Sequence, residues 1–85
     1  MTRMTEVHEM IRAFLDQEYD PLAFSFDLPF CLCEYYDDMY AENPTITKIM
    51  NEELPEICAD YERGADPAPF IAAVKREYER ALAAL

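Results

Sequence analysis

Four side chains belong to types that build metal sites and nucleophilic catalysts: His8, Cys31, Cys33 and Cys58. A Cys3His set has the right count for tetrahedral zinc, but the spacing argues against it. Cys31-x-Cys33 is tighter than the common zinc-ligand spacing, and on a helix residues two apart point about 160° from one another. Cys58 falls on the apolar face of its predicted helix, where a structural thiol belongs. An odd cysteine count cannot complete a disulfide framework, and Cys31 and Cys33 are too close for ordinary bridge geometry. Free thiols in a reducing compartment are therefore expected, with no metal.

Other chemistry is equally thin. His8 lies beside the apolar stripe of the first helix and reads as a boundary histidine. Ser25 is the only serine and has no Gly-x-Ser-x-Gly around it. A single glycine excludes a Gly-rich phosphate loop. Asp37-Asp38 lacks the alternation and glycine of a calcium loop. The Glu-x-x-His of helical di-metal sites is absent, because Thr5 stands where its glutamate would be. The 18 acids allow many carboxylate pairs, but 85 residues leave little core to shelter one. No enzymatic activity and no cofactor are expected.

The elements that must position these residues are helical. Met4, Val7, Ile11, Phe14 and Leu15 have amphipathic spacing, with Thr2 or Thr5 as cap, and predict a helix over about 3–19 that ends at Asp20-Pro21. Leu22, Phe24, Phe26 and Leu28 alternate with Ala23, Ser25 and Asp27. Period two predicts an extended connector near 21–28 that lays four apolar side chains on the core. Asp27 or Ser25 then caps a second helix with Pro29 in its first turn. Leu28, Leu32, Tyr35, Tyr36 and Met39 share one face, opposite Glu34, Asp37, Asp38 and Glu42. Asn43-Pro44 closes this helix and opens the next. Ile46, Ile49, Met50, Leu54, Ile57, Cys58 and Tyr61 keep register, with Pro55 predicting a kink or two short helices. Gly64 is placed for a left-handed C-cap. Asp66-Pro67 starts a last helix with Phe70, Val74, Tyr78, Ala81, Leu82 and Leu85 on its core side, rich in alanine. The expected fold is all-α: one acidic domain over 1–85, a compact bundle of four to five short helices.

Charge adds the functional content. The formal net charge is −11, yet residues 1–15 are neutral and residues 67–85 carry +1. Residues 16–66 hold −12, with five of the six tyrosines in the same stretch. Acid pairs one helical turn apart, such as Glu34–Asp38 and Asp38–Glu42, each destabilise a helix by roughly 0.2–0.5 kcal/mol. An even spread would give solubility with less strain, so the clustering invites a binding role, the plain alternative being a solvated acidic surface. Such a chain is not expected to bind nucleic acid directly or to be drawn to an anionic membrane. No apolar run reaches the length of a membrane span and the first residues lack a signal-peptide centre, so a cytoplasmic location is expected.

Two readings follow. In the first, a carboxylate row spaced like nucleic-acid phosphates lets the protein cover the basic groove of a nuclease or other nucleic-acid-processing enzyme. That is the manner of a DNA mimic, an anti-CRISPR or anti-defence protein of a phage or mobile element, or an immunity protein. The contacts would be Glu34, Asp37, Asp38, Tyr40 and Glu42 on one helix, then Glu52, Glu53, Glu56 and Asp60 on the next. In the second, a small regulatory or assembly subunit docks through Phe24, Phe26 and Phe30 on a partner or on a second copy of itself.

Overall fold

Thr2 opens the first helix by accepting a hydrogen bond from the Thr5 amide at 3.1 Å, and α1 runs Arg3–Leu15. The computed structural model describes residues 2–84; Leu85, assigned to the core by its spacing, lies outside them. Met4, Val7, Ile11 and Phe14 bury the stripe that the sequence marks. The helix ends four residues before the predicted stop. The Gln17 amide donates to the Phe14 carbonyl and the Glu18 amide to the Ala13 carbonyl, with Gln17 at φ 62°. This is the Schellman termination, built on glutamine where glycine is usual.

The predicted extended connector is a helix. α2 spans Pro21–Glu34, capped by Asp20, whose carboxylate accepts from the Ala23 amide at 2.9 Å. Asp20-Pro21 is a start as well as a stop: aspartate caps and proline suits the first helical position. Pro29 consequently lies inside α2, not in its first turn, and leaves the Ser25 carbonyl without its usual donor. The Ser25 hydroxyl is spent on the Leu22 carbonyl at 2.6 Å. Helical phase also corrects the alternation. Phe24 and Leu28, one turn apart, are buried; Leu22 is half-buried, and Phe26 points to solvent.

At Tyr35 the chain breaks register, and α3 follows as a separate short helix, Tyr36–Glu42, with Met39 as its buried anchor. Asn43 caps α4 (Pro44–Asp60) through the Ile46 amide at 3.1 Å. Pro55 does not split α4. Met50, Leu54 and Cys58 sit in the core on one face both before and after it, and that burial outweighs one lost backbone bond. Gly64 has the left-handed φ of 85°, but in the turn beyond α4, where the Ala65 amide donates to the Glu62 carbonyl at 3.0 Å. Asp66 caps α5 (Pro67–Leu82). Of its alanines only Ala81 is buried, the other buried residues of α5 being Phe70, Val74, Tyr78 and the carboxylate-bearing Glu77.

One apolar cluster takes side chains from all five helices. Its centre is aromatic. Phe14 stacks on Phe24 at 3.9 Å, Phe70 leans on Phe14 at 4.9 Å, and Tyr61 stacks on Phe70 at 4.6 Å, so α1, α2, α5 and the end of α4 meet there. Among the described residues no helix is long and apolar enough to cross a membrane.

Candidate functional site

The carboxylates singled out by charge all reach the surface: Glu34, Asp37, Asp38, Glu42, Glu52, Glu53, Glu56 and Asp60 are exposed, as is Tyr40. In fact every acid between residues 16 and 66 is exposed. The short helix α3 sets their directions. With Met39 turned inward, Asp38 and Glu42 fall on one flank and Tyr36 and Tyr40 on the other. The tyrosines stack on one another at 5.8 Å, and the Lys48 ammonium of α4 stands 5.7 Å from the Tyr40 ring centre. The tyrosine flank therefore faces α4.

The opposite flank faces the start of α1. Thr2 donates to Glu42 at 3.4 Å, and Thr2, Arg3 and Glu6 form an open groove with Asp38, Ala41 and Glu42. Arg3 bonds Glu6 at 2.9 Å and lies 4.4 Å over the Tyr35 ring, so one cation serves several acceptors at this groove. Its pKa is raised, first by the hydrogen bond and charge of Glu6 and in smaller part by Asp38.

The carboxylates of α4 belong elsewhere. Glu52 pairs with Arg80 of α5 at 3.0 Å. Arg80 also holds Glu77 at 2.9 Å, and Arg76 holds it at 3.1 Å. Burial works against ionisation of Glu77, but these two guanidinium groups overcome it and bring the carboxyl below its usual pKa. Asp60 stands at the mouth of a cleft of about 480 Å³ between the end of α4 and the start of α5. Asp38 and Glu42 thus face the start of α1 while Glu52 and Asp60 face α5, with the Tyr36–Tyr40 pair and Lys48 on the seam between α3 and α4.

The aromatic candidates divide as well. Phe26 and Phe30 are 69% and 64% exposed, one turn apart on α2. Phe24 is fully buried at the aromatic centre, which removes it from any docking face. The residues of possible covalent chemistry stay apart. Cys33 is exposed, whereas Cys31 and Cys58 are buried, and burial pushes the Cys58 thiol up to about 12. His8 is half-buried, its Nδ1 sharing a 2.7 Å hydrogen bond with the Tyr78 hydroxyl across α1 and α5. Its pKa is lowered by burial first and by Arg12 second, against the attraction of Glu42. Among the described residues no three His, Cys, Asp or Glu side chains converge on a point that could hold a metal ion.

Sequence reasoning missed the α4–α5 cleft, whose floor includes Ile57, Tyr61, Phe70 and Ala73 and whose edge carries Asp60, Glu62 and Asp66. The available signal was the turn around Gly64, which separates two helices whose apolar faces both continue to their ends. One of these edge carboxylates is already engaged: Asp66 caps α5 through the Ala68 amide at 3.0 Å. No family model, curated protein or solved structure matches the chain.

Proposed function

We propose that the protein is a non-enzymatic binding protein that inhibits a nucleic-acid-processing enzyme by covering its basic groove, as an anti-CRISPR protein or a nuclease-toxin immunity protein does. The observation that carries this reading is the complete exposure of the acids between residues 16 and 66, set against the pairing of Arg3, Arg76 and Arg80 within the fold. Arg3 and Arg76 are exposed but pair with Glu6 and Glu77, outside that stretch; of its acids these arginines engage Glu52 alone, through Arg80, and the field of the others acts outward. A groove shaped for a duplex has two basic walls, so carboxylates that face two ways suit it at least as well as a single row. Docking of this kind is fast and weakened by salt.

The test is capture of partners from the source cell with wild-type protein and with a Glu34→Lys, Asp38→Lys, Glu42→Lys variant, followed by assay of the captured enzyme. The triple variant is expected to keep its helical spectrum and lose both binding and inhibition. Equal binding by the variant would falsify the electrostatic reading. A second reading, a regulatory or assembly subunit, is favoured by one observation, the exposure of Phe26 and Phe30. It predicts binding that resists salt and is weakened by Phe30→Ala.

A further inference from the structure

In α2 only Ser25, Asp27 and Glu34 are polar. A helix that is apolar all round is normally covered all round. Here Phe24, Leu28, Cys31 and Leu32 face the core, while Phe26 and Phe30 stand in solvent with Cys33 exposed in line with them. The two rings expose roughly 200–330 Å² together, taking about 150–250 Å² for a whole aromatic side chain. A standard interface takes about 800 Å² from each partner. The phenylalanine pair is therefore the apolar centre of a contact, and the remainder must come from its surroundings.

Those surroundings are anionic: Asp27 and Glu34 are exposed along one edge of the stripe. A second copy of a chain with net charge −11 would bring carboxylates against carboxylates. Two large side chains at i and i+4 make a ridge that seats between the ridges of a facing helix. We infer that the Phe26–Phe30 face of α2 docks a basic amphipathic helix of a partner protein. Apolar residues of that helix cover the two rings, and its lysines or arginines lie against Asp27 and Glu34. The inference rests on the aromatic-docking reading above and names what the partner contributes.

The probe is a synthetic helix of about 18 residues, five turns, with leucine on one face and lysine on the other. Matched peptides carry glutamine or glutamate in place of lysine. Each is titrated by calorimetry into the full chain and into a Phe26→Ser, Phe30→Ser variant, whose circular dichroism checks that replacing two exposed rings leaves the fold intact. The lysine peptide is expected to bind wild type, to lose at least about tenfold on the double variant, and to weaken with salt. Equal binding to the double variant overturns the inference, because charge alone would then explain it. Equal binding by the glutamine peptide overturns the basic character of the partner and leaves the docking face standing. A wild-type dimer in sedimentation that the double variant abolishes makes the occupant a second copy, with the same consequence. If neither a peptide nor a second copy depends on Phe26 and Phe30, the inference and the docking reading fall together.

Discussion

Replacing Phe24 and Phe26 separately by alanine tests the helical phase of α2, the point on which both the core and the docking face depend. Phe24 is fully buried between Phe14 and Tyr19, and large-to-small changes at such sites cost about 3–5 kcal/mol, including the cavity left behind. Phe26 is 69% exposed, so about a third of its surface is covered. A third of the 1.5–3 kcal/mol for burying a large apolar side chain is roughly 0.5–1 kcal/mol. The pair should therefore differ by at least about 2 kcal/mol although the residues are two apart. Urea unfolding followed by circular dichroism measures this. With a slope near 1 kcal/mol per molar for so small a chain, the midpoint should fall by about 3 M or more for Phe24→Ala and by no more than about 1 M for Phe26→Ala. Total stabilities of small domains begin near 5 kcal/mol, so Phe24→Ala is expected to be partly unfolded in buffer. Phe24→Leu, with a loss of roughly 1–2 kcal/mol, keeps the comparison on a measurable scale. An extended segment would place both rings on the same face. Equal losses at the two positions would thus refute the helical phase, and with it the exposed stripe.

Thiol labelling with a disulfide reagent should modify one cysteine per folded chain, Cys33, and all three in denaturant, since Cys31 and Cys58 are buried; more than one fast thiol under native conditions contradicts the packing of α2 or α4. Gln17→Gly should raise the melting temperature by up to about 4–8 °C, the equivalent of 1 kcal/mol for a chain of this size, because glycine holds a left-handed φ without the steric penalty glutamine carries; no gain would mean that residue 17 is not left-handed. His8 has a folded pKa below its unfolded value, so the unfolded chain takes up the proton first as pH falls. Stability from this group is complete above about pH 6.5 and is lost as the pH drops through the depressed folded value. Urea midpoints at pH 7.5 and 5.5 should fall more for wild type than for His8→Gln; identical slopes would show that burial and Arg12 do not disfavour the charged imidazole in the folded chain.

The legible parts of the fold were those where period and punctuation agreed. At the starts of α1, α4 and α5 the apolar spacing, the capping Thr2, Asn43 and Asp66, and the prolines after Asn43 and Asp66 point to one answer, and Met4, Ile11, Met50, Leu54, Phe70 and Val74 are buried as their spacing requires, whereas the end of α1 and the continuity of α4 through Pro55 depart from the punctuation. In α2 they disagreed. The run from Leu22 to Leu28 satisfies period two, but a helix with apolar residues on every side satisfies any period, and Asp20-Pro21, a stop signal for α1 by its sequence, is the start of α2. Length settles such a case better than alternation, because an apolar stretch from Pro21 to Leu32 is long for a strand.

The same limit governs the acidic surface. Sequence distance located the charge between residues 16 and 66, and solvent exposure follows from carboxylate desolvation, which makes an unpaired buried acid too expensive to keep. Direction does not follow, because it depends on where the helix is broken. Had α2 continued through Tyr35 without the break, Glu34, Asp38 and Glu42 would stand in one row at successive turns. The chain is interrupted at Tyr35, and in α3 the buried Met39 fixes the phase that turns Asp38 and Glu42 to the groove at Arg3 while Tyr36 and Tyr40 meet Lys48. A partner that bridges the two acidic directions must cross the tyrosine seam. Tyr40, exposed at that seam, is therefore where the electrostatic reading and an aromatic contact converge. Tyr40→Ala should weaken capture of such a partner at both low and high salt, whereas Glu42→Lys should weaken it chiefly at low salt. If Tyr40→Ala has no effect at either salt, the partner touches one acidic flank and does not span the seam.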